Sequence, residues 1–272
     1  MVSISPIDIE GIYNNYLDKK QEENRNERYK GNEHWYHASG SGSCSRKLYF
    51  ESVEQVEGTN PIDFKTKRLL RLGNVMHEDI QNSLTHVRTN IDTNNSTNSI
   101  STDNKEKEIK NKEKEIEFHV EGEVKIEELN VRGFYDIVAK DNRSLEQPVY
   151  LYDIKTSGGW AWKMKFGRNK QLNPSIHYEL QLGTYGYAIK EMFGRLDGMY
   201  LYYYNKDTSD MRAIEVPLTY VSRAYLYWKN INDEHKQGYQ TLELEYLQFK
   251  NGSAIIVNLE VTVIHQDKDI YD

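Results

Sequence analysis

One eight-residue stretch has the clearest strand pattern in the chain: Val149-Tyr150-Leu151-Tyr152-Asp153-Ile154-Lys155-Thr156. Because side chains alternate between the two faces of a strand, this pattern predicts Asp153 and Lys155 on one face and the aromatic residues on the other. An earlier apolar run contains one acid, Gly133-Phe134-Tyr135-Asp136-Ile137-Val138. Turn residues at 141–144 separate the two runs, which predicts a hairpin that brings Asp136 close to Asp153.

A helix is predicted before this hairpin. Apolar residues recur every third or fourth position between residues 65 and 84, at Leu69, Leu72, Met76 and Ile80. This spacing forms one stripe of a helix, which we expect to be buried. His77 lies seven residues from both Leu70 and Leu84, at the edge of the stripe, and Gly73 opens room one turn earlier. A neutral imidazole there can bind a metal, although a lone histidine at a core edge is usually structural.

The remaining patterns predict a mixed α/β domain. In chain order they indicate a strand at 118–126, strands at 130–140 and 149–155, a helix at 175–193, a strand at 198–205 and a helix at 219–237. Asn251-Gly252 between two apolar runs predicts a tight C-terminal hairpin. This order implies one α/β or α+β domain with a mixed central β-sheet flanked by helices.

Composition limits the class of protein. We expect a single domain over 1–272, with an N-terminal helical element at 1–64 and a mobile insertion at 88–115, where large apolar residues are almost missing. No apolar run is long enough for a membrane span, no signal peptide is evident, and one cysteine excludes an internal disulfide. A cytoplasmic protein follows, and the Asn-, Lys- and Tyr-rich usage suggests a bacterium or a phage-infected cell. The net charge of −7 argues against bulk attraction to nucleic acid but allows a local basic groove.

Two carboxylates and an ammonium on one sheet face predict metal-assisted chemistry on a phosphate. Magnesium binds oxygen ligands, often one or two carboxylates completed by water and substrate phosphate. Such an ion activates water and stabilises charge on phosphate oxygens, and a lysine beside it can orient the water. Taken alone, Asp153-Ile154-Lys155 is better explained by an ordinary interstrand salt bridge.

Gln181 and Tyr185 lie four residues apart on the predicted 175–193 helix and share a face with Tyr178. A helix that packs its aromatic face on the sheet explains Tyr185. It explains Gln181 less well, because a buried amide needs hydrogen-bond partners.

Two segments combine cations with other groups that bind nucleic acid. The stretch after the Asp153–Lys155 strand, predicted as a loop to residue 170, includes Thr156, Trp160, Trp162, Lys163, Lys165 and Arg168. Cations for phosphates and rings for unpaired bases predict a single-strand platform, and a solvated loop with one anchoring tryptophan is an equal alternative. Near the N-terminus, Ser43, Arg46 and Lys47 at a helix start predict a phosphate contact.

In this order the motifs resemble the PD-(D/E)XK nuclease superfamily, in particular its RecB-like exonuclease branch. The matching stretches are Gly73-Asn74-Val75-Met76-His77, Gly133-Phe134-Tyr135-Asp136, Asp153-Ile154-Lys155-Thr156 and Gln181-Leu182-Gly183-Thr184-Tyr185. The stretch 43–50 is similar to the N-terminal element of CRISPR-associated and mitochondrial relatives. The resemblance spans residues 39–187 and implies a restriction-endonuclease-like core.

The resemblance also implies residue roles. Asp136, Asp153, His77 and the Ile154 carbonyl would bind Mg²⁺ or Mn²⁺, and Lys155 would be the catalytic lysine. Gln181 and Tyr185 would hold Lys155 or the DNA strand. Several relatives bind an iron–sulfur cluster through four cysteines, whereas this chain has only Cys44, so we expect no cluster and a buried Cys44.

The function expected from these features is metal-dependent hydrolysis of DNA. An exonuclease acting on single strands or DNA ends is favoured by the branch resemblance and by the tryptophan-rich segment. A DNA endonuclease of the same superfamily is the alternative. A third possibility is a catalytically inactive nucleic-acid-binding relative, against which the intact Asp136, Asp153 and Lys155 argue.

Overall fold

The computed structural model describes residues 7–28, 34–53, 62–94, 116–168, 176–237, 240–250 and 253–263. The helices are α1 (Ile9–Arg28), α2 (Ser45–Leu48), α3 (Phe64–Asn94), α4 (Gly159–Phe166), α5 (Ile176–Phe193) and α6 (Thr219–Gln237). The strands are β1 (Tyr36–His37), β2 (Ile116–Ile126), β3 (Val131–Asp141), β4 (Val149–Ser157), β5 (Gly198–Asn205), β6 (Met211–Val216), β7 (Gln240–Lys250) and β8 (Ser253–Val263). None of the described helices is long and apolar enough to cross a bilayer.

A mixed sheet forms the centre of the fold, as the sequence predicts. β3, β4, β5 and β6 are neighbours in that order, and β4 and β5 run parallel while the other two pairs are antiparallel. β2 pairs with β3 along its length, and β1 runs parallel to the first residues of β3. The predicted hairpin between β3 and β4 is therefore confirmed.

Helices α3 and α5 lie on opposite faces of this sheet. A Cβ atom at Gly186 of α5 would lie 2.7 Å from the sulfur of Met199, which pairs with Leu151 of β4. On α3, a Cβ atom at Gly73 would lie 3.1 Å from Oγ1 of Thr156. Leu151 and Thr156 are five residues apart on β4, so their side chains point to opposite faces. The end of β4 is thus enclosed between the two helices.

Helix α6 packs on α5 and completes the core. Trp228 of α6 is fully buried, and its indole N–H donates a hydrogen bond to Oγ1 of Thr184 on α5 at 2.9 Å. The Trp228 ring also contacts Tyr36 of β1, with 5.7 Å between centroids. These contacts connect the N-terminal part of the chain to both helices.

The predicted helix at 65–84 is confirmed, but its apolar stripe is only partly buried. Leu69 and Leu72, in the first half of α3, are 48% and 43% exposed. There its neighbour is α1, which it contacts through charged groups, including Lys67 Nζ and Asp18 Oδ1 at 2.6 Å. The helix continues to Asn94, so residues 88–94 of the predicted insertion are helical, and residues 95–115 lie outside the described part.

The other predicted elements agree closely with the structure. The strand at 198–205 and the helix at 219–237 have the predicted bounds, and β7 and β8 form the predicted antiparallel pair. Helix α1 lies within the predicted N-terminal helical element, whereas strand β6 and the short β1 were not predicted. β6 is an edge strand whose residues are mostly exposed, so it lacks a clear apolar alternation.

Candidate active site

Asp136 lies where β3 loses its regular pairing. β3 pairs with β4 only as far as Ile137, and Asp136 is the next residue. On the other side, the neighbouring Glu121 of β2 has a left-handed backbone with a φ of 50°. The Oδ2 atom of Asp136 accepts a hydrogen bond from the Ile154 backbone N–H at 2.6 Å. The carboxylate therefore joins the two strands beyond the end of their ladder, beside Asp153.

A continuous series of polar contacts begins at Asp153. Its Oδ2 lies 2.6 Å from Nζ of Lys155, and these side chains are only 3% and 15% exposed. The Lys155 ammonium donates to Oε1 of Gln181 at 3.0 Å, and the Gln181 amide donates to the Tyr185 hydroxyl at 3.2 Å. The structure thus brings four of the predicted residues together and provides the partners that a glutamine on this helix face needs.

The charges at the site are held at a cost in stability. Burial raises the pKa of Asp153 from 3.8 to about 6, the Lys155 ammonium opposes this rise, and the negative charge of Asp136 adds to it. Burial and the charge of Asp153 also raise the pKa of the Tyr185 phenol well above its usual range. Tyr185 is therefore neutral, and the two carboxylates are close enough to repel each other.

Helix α3 contributes His77 and a further residue, Gln81, to the same place. His77 Nδ1 lies 3.7 Å from Oδ1 of Asp136, and Gln81 Nε2 lies 3.4 Å from the backbone carbonyl of Asp136. Gln81 is 5% exposed and was not predicted as a site residue. Its spacing of four from His77 was an available signal. Gly73, one turn before His77, allows α3 to approach β4, because a Cβ there would press on Thr156.

These residues fit a divalent cation of the magnesium type. Asp136 and Asp153 are hard oxygen ligands, and a bound cation relieves the repulsion between them. In the described ranges, no three His, Cys, Asp or Glu side chains are grouped so that they alone could hold a metal. Magnesium suits such a site, because it usually keeps several waters and binds one or two carboxylates.

The segment after β4 is the helix α4, not the loop predicted from the sequence. Trp160 is 77% exposed, whereas Trp162 is 8% exposed, and its ring centroid lies 4.4 Å from that of Phe166. The guanidinium of Arg212 lies over the rings of both Trp162 and Phe166. The prediction that Trp162 stacks on a base is therefore wrong. Two residues correspond to about 200° around a helix, which turns Trp162 to the core and Trp160 to solvent.

The cations of this segment also differ in their surroundings. Lys163 and Arg168 are exposed. The ammonium of Lys165 lies 4.5 Å from the centre of the Tyr203 ring, and burial lowers its pKa. Lys163 and Arg168 are thus open to a ligand, while Lys165 is turned towards the core.

Near the N-terminus a helix begins where the sequence predicts a helix start, as α2, and continues into a π-helical turn at Tyr49–Val53. α2 has only four residues, and the Ser43 carbonyl accepts a hydrogen bond from the Tyr227 hydroxyl at 2.8 Å. The Arg46 guanidinium lies over the Phe50 ring, 5.7 Å from its centroid. Cys44, expected to be buried, is exposed because it precedes α2 at the surface.

A cleft of about 1150 Å³ leads from Asp136 and His77 to α1. Cations on its walls include Lys47, Lys67 and Arg71. Each is paired with a carboxylate, at 3.7 Å, 2.6 Å and 3.1 Å respectively. The cleft is therefore polar, but its cations are largely neutralised.

No protein-family model matches the chain, and no curated protein sequence matches it. Among solved structures, the protein SSO0001 is similar to it, with 16% identity and a TM-score of 0.46 over 82% of this chain and 87% of that one. An alkaline exonuclease (LHK-Exo) from Laribacter hongkongensis has 11% identity and a TM-score of 0.45 over 78% of this chain and 93% of its own. Both TM-scores are below 0.5.

Proposed function

We propose that the chain is a divalent-metal-dependent nuclease that hydrolyses phosphodiester bonds in DNA. The observation that carries the proposal is the buried Asp153–Lys155 ion pair with a second carboxylate, Asp136, beside it. A structural ion pair gains nothing from a second negative charge, because that charge adds desolvation and repulsion. Such an arrangement is typical of a functional site that a cation completes.

Each residue of the site would have a separate role in the reaction. Asp136 and Asp153, with His77 and the Ile154 carbonyl, would hold Mg²⁺ or Mn²⁺. When bound, such an ion lowers the pKa of water and stabilises charge on phosphate oxygens. Lys155 orients the attacking water and neutralises the negative charge that develops on the phosphate.

Gln181 and Tyr185 act on Lys155. The Gln181 carbonyl oxygen accepts a hydrogen bond from the ammonium, and the Tyr185 hydroxyl fixes the other end of the amide. Because Tyr185 is 3% exposed, its hydroxyl is a rigid anchor. The pair thereby keeps the ammonium beside Asp153 and inside the site.

The substrate strand would pass over the start of α4. Thr156 is the last residue but one of the strand that carries Lys155, and the exposed Trp160 follows four residues later. A ring in this position can stack on an unpaired base, with Lys163 and Arg168 on the phosphates. Ser43 and Lys47, which line the cleft, would contact the strand on the other side. This supports action on single strands or DNA ends, hence an exonuclease.

The test is cleavage of end-labelled single-stranded, double-stranded and circular DNA with Mg²⁺. We expect stepwise shortening of linear strands and intact circles, and no cleavage in EDTA. Cleavage of circles would identify an endonuclease, and binding without cleavage would identify an inactive DNA-binding protein.

Two variants and a control make this test specific. Asp136→Asn and Asp153→Asn should each abolish cleavage, because each removes a hard anionic ligand. Asp141→Asn changes a half-buried aspartate at the far end of β3, paired with Arg143, and should cleave like the wild type. Undiminished cleavage by folded Asp153→Asn would overturn the proposal.

A further inference from the structure

The ammonium of Lys155 has a third neighbour besides Asp153 and Gln181. Its Nζ lies 4.7 Å from the centre of the Tyr178 ring, within the range of a cation–π contact. Tyr178 is on α5, three residues before Gln181, so both side chains reach Lys155 from one face of the helix.

The geometry explains why a ring is useful here. An ammonium has three N–H donors, and Asp153 and Gln181 can receive two of them. The Lys155 side chain is only 15% exposed, so little water reaches the third N–H. The electron-rich face of Tyr178 stabilises the positive charge on that side, and this contact is strongest where water is excluded.

Tyr178 is itself held in place. Its ring centroid lies 4.0 Å from that of His177, and the side chain packs on the hydrophobic core. A fixed ring limits the directions in which the lysine side chain can move. With the carboxylate and the amide, it encloses the ammonium on three sides.

We propose that Tyr178 is a positioning residue that holds the Lys155 ammonium through its ring face. This inference rests on the proposed nuclease function, in which Lys155 acts on transition-state charge. Loss of the ring should therefore lower kcat and leave KM nearly unchanged, because a misplaced ammonium weakens an interaction made in the transition state.

The kinetic test compares two kinds of replacement. Tyr178→Leu removes the ring and keeps an apolar side chain, and we expect kcat to fall about tenfold. Tyr178→Phe keeps the ring face and should restore most of that loss. Tyr178→Met is a second non-aromatic variant, for use if the leucine variant does not fold.

A control and a double variant separate positioning from general packing. Tyr187 is on the same helix, nine residues later, and its ring contacts Tyr225, not Lys155. Tyr187→Leu should leave kcat unchanged. In a Lys155→Ala background, Tyr178→Leu should cause no further loss, because the partner of the ring is gone.

A spectroscopic readout makes the contact testable without activity. The Lys155 side-chain protons should show an upfield ring-current shift in protein labelled with ¹³C,¹⁵N-lysine, lost in Tyr178→Leu and kept in Tyr178→Phe. If the wild type does not cleave DNA, the proposed function fails while this shift still decides whether the contact exists. If the wild type cleaves and folded Tyr178→Leu keeps full kcat, or loses only in KM, the positioning inference alone is overturned.

Discussion

Replacing Asp153 by asparagine should change the way in which the free energy of unfolding depends on pH. The folded-state pKa of Asp153 is raised from 3.8 to about 6, chiefly by burial. An acid with a raised folded pKa favours folding at low pH, and this contribution is lost as the pH rises through the folded pKa. The difference between 3.8 and about 6 corresponds to about 3 kcal/mol of unfolding free energy. The unfolding free energy of the wild type should fall by most of this amount between pH 4 and pH 7.

The assay is urea unfolding of the wild type and Asp153→Asn at several pH values in EDTA. Asparagine has nearly the same shape and does not titrate, so the stability of the variant minus that of the wild type should rise by about 2 kcal/mol from pH 4 to pH 7, which is most of the full change. Loss of the contact with Lys155 adds a constant offset and leaves the rise unchanged. At pH 7, Mg²⁺ should stabilise the wild type more than the variant, because it binds the folded carboxylate.

Asp141→Asn provides a control of opposite sign. Hydrogen bonds from Arg143 lower the pKa of Asp141 to about 2, so its charge stabilises the folded state above pH 4 and is lost below it. The difference in unfolding free energy between Asp141→Asn and the wild type should therefore become smaller as the pH falls. A flat difference for Asp153→Asn between pH 4 and pH 7 would refute the reasoning that Asp153 carries an unfavourable buried charge.

Three further predictions concern other residues. Lys155→Ala should lower kcat by about 10²–10³ and leave the Kd for DNA in Ca²⁺ nearly unchanged, since the ammonium acts on transition-state charge; equal losses in kcat and affinity would make it an ordinary phosphate contact. Trp160→Ala should weaken single-stranded DNA binding by about 1–3 kcal/mol in fluorescence anisotropy. Trp162→Ala should instead destabilise the fold by about 3–5 kcal/mol in urea unfolding. The reverse pattern would contradict the exposure of Trp160 and the burial of Trp162. Burial lowers the pKa of His235, which lies on α6, below 6.5. As the pH drops below 6.5 the unfolded state therefore binds the proton first, and the free energy of unfolding should fall. A His235→Gln variant with the same pH profile of thermal unfolding would show that another group is responsible.

Local pattern was enough to predict most of the strands and helices. Alternation along 149–156 placed Asp153 and Lys155 on one face, and their 2.6 Å contact confirms it. The bounds of β5 and α6 were also predictable, because the spacing of apolar residues within each segment is that of a strand or of a helix. The spacing of four between Gln181 and Tyr185 similarly placed both on one side of α5.

Contacts between distant segments required the tertiary structure. Two tryptophans in one short segment have the same intrinsic preference for burial, and the packing of one face of α4 on the core decided that Trp162 is buried while Trp160 is exposed. The stripe on α3 has one period throughout, yet Leu69 within it is 48% exposed. The Tyr178 ring meets Lys155 only because α5 crosses the end of β4. Periodicity within a segment determines which residues share a face, whereas burial and charge pairing depend on which other segment packs against that face.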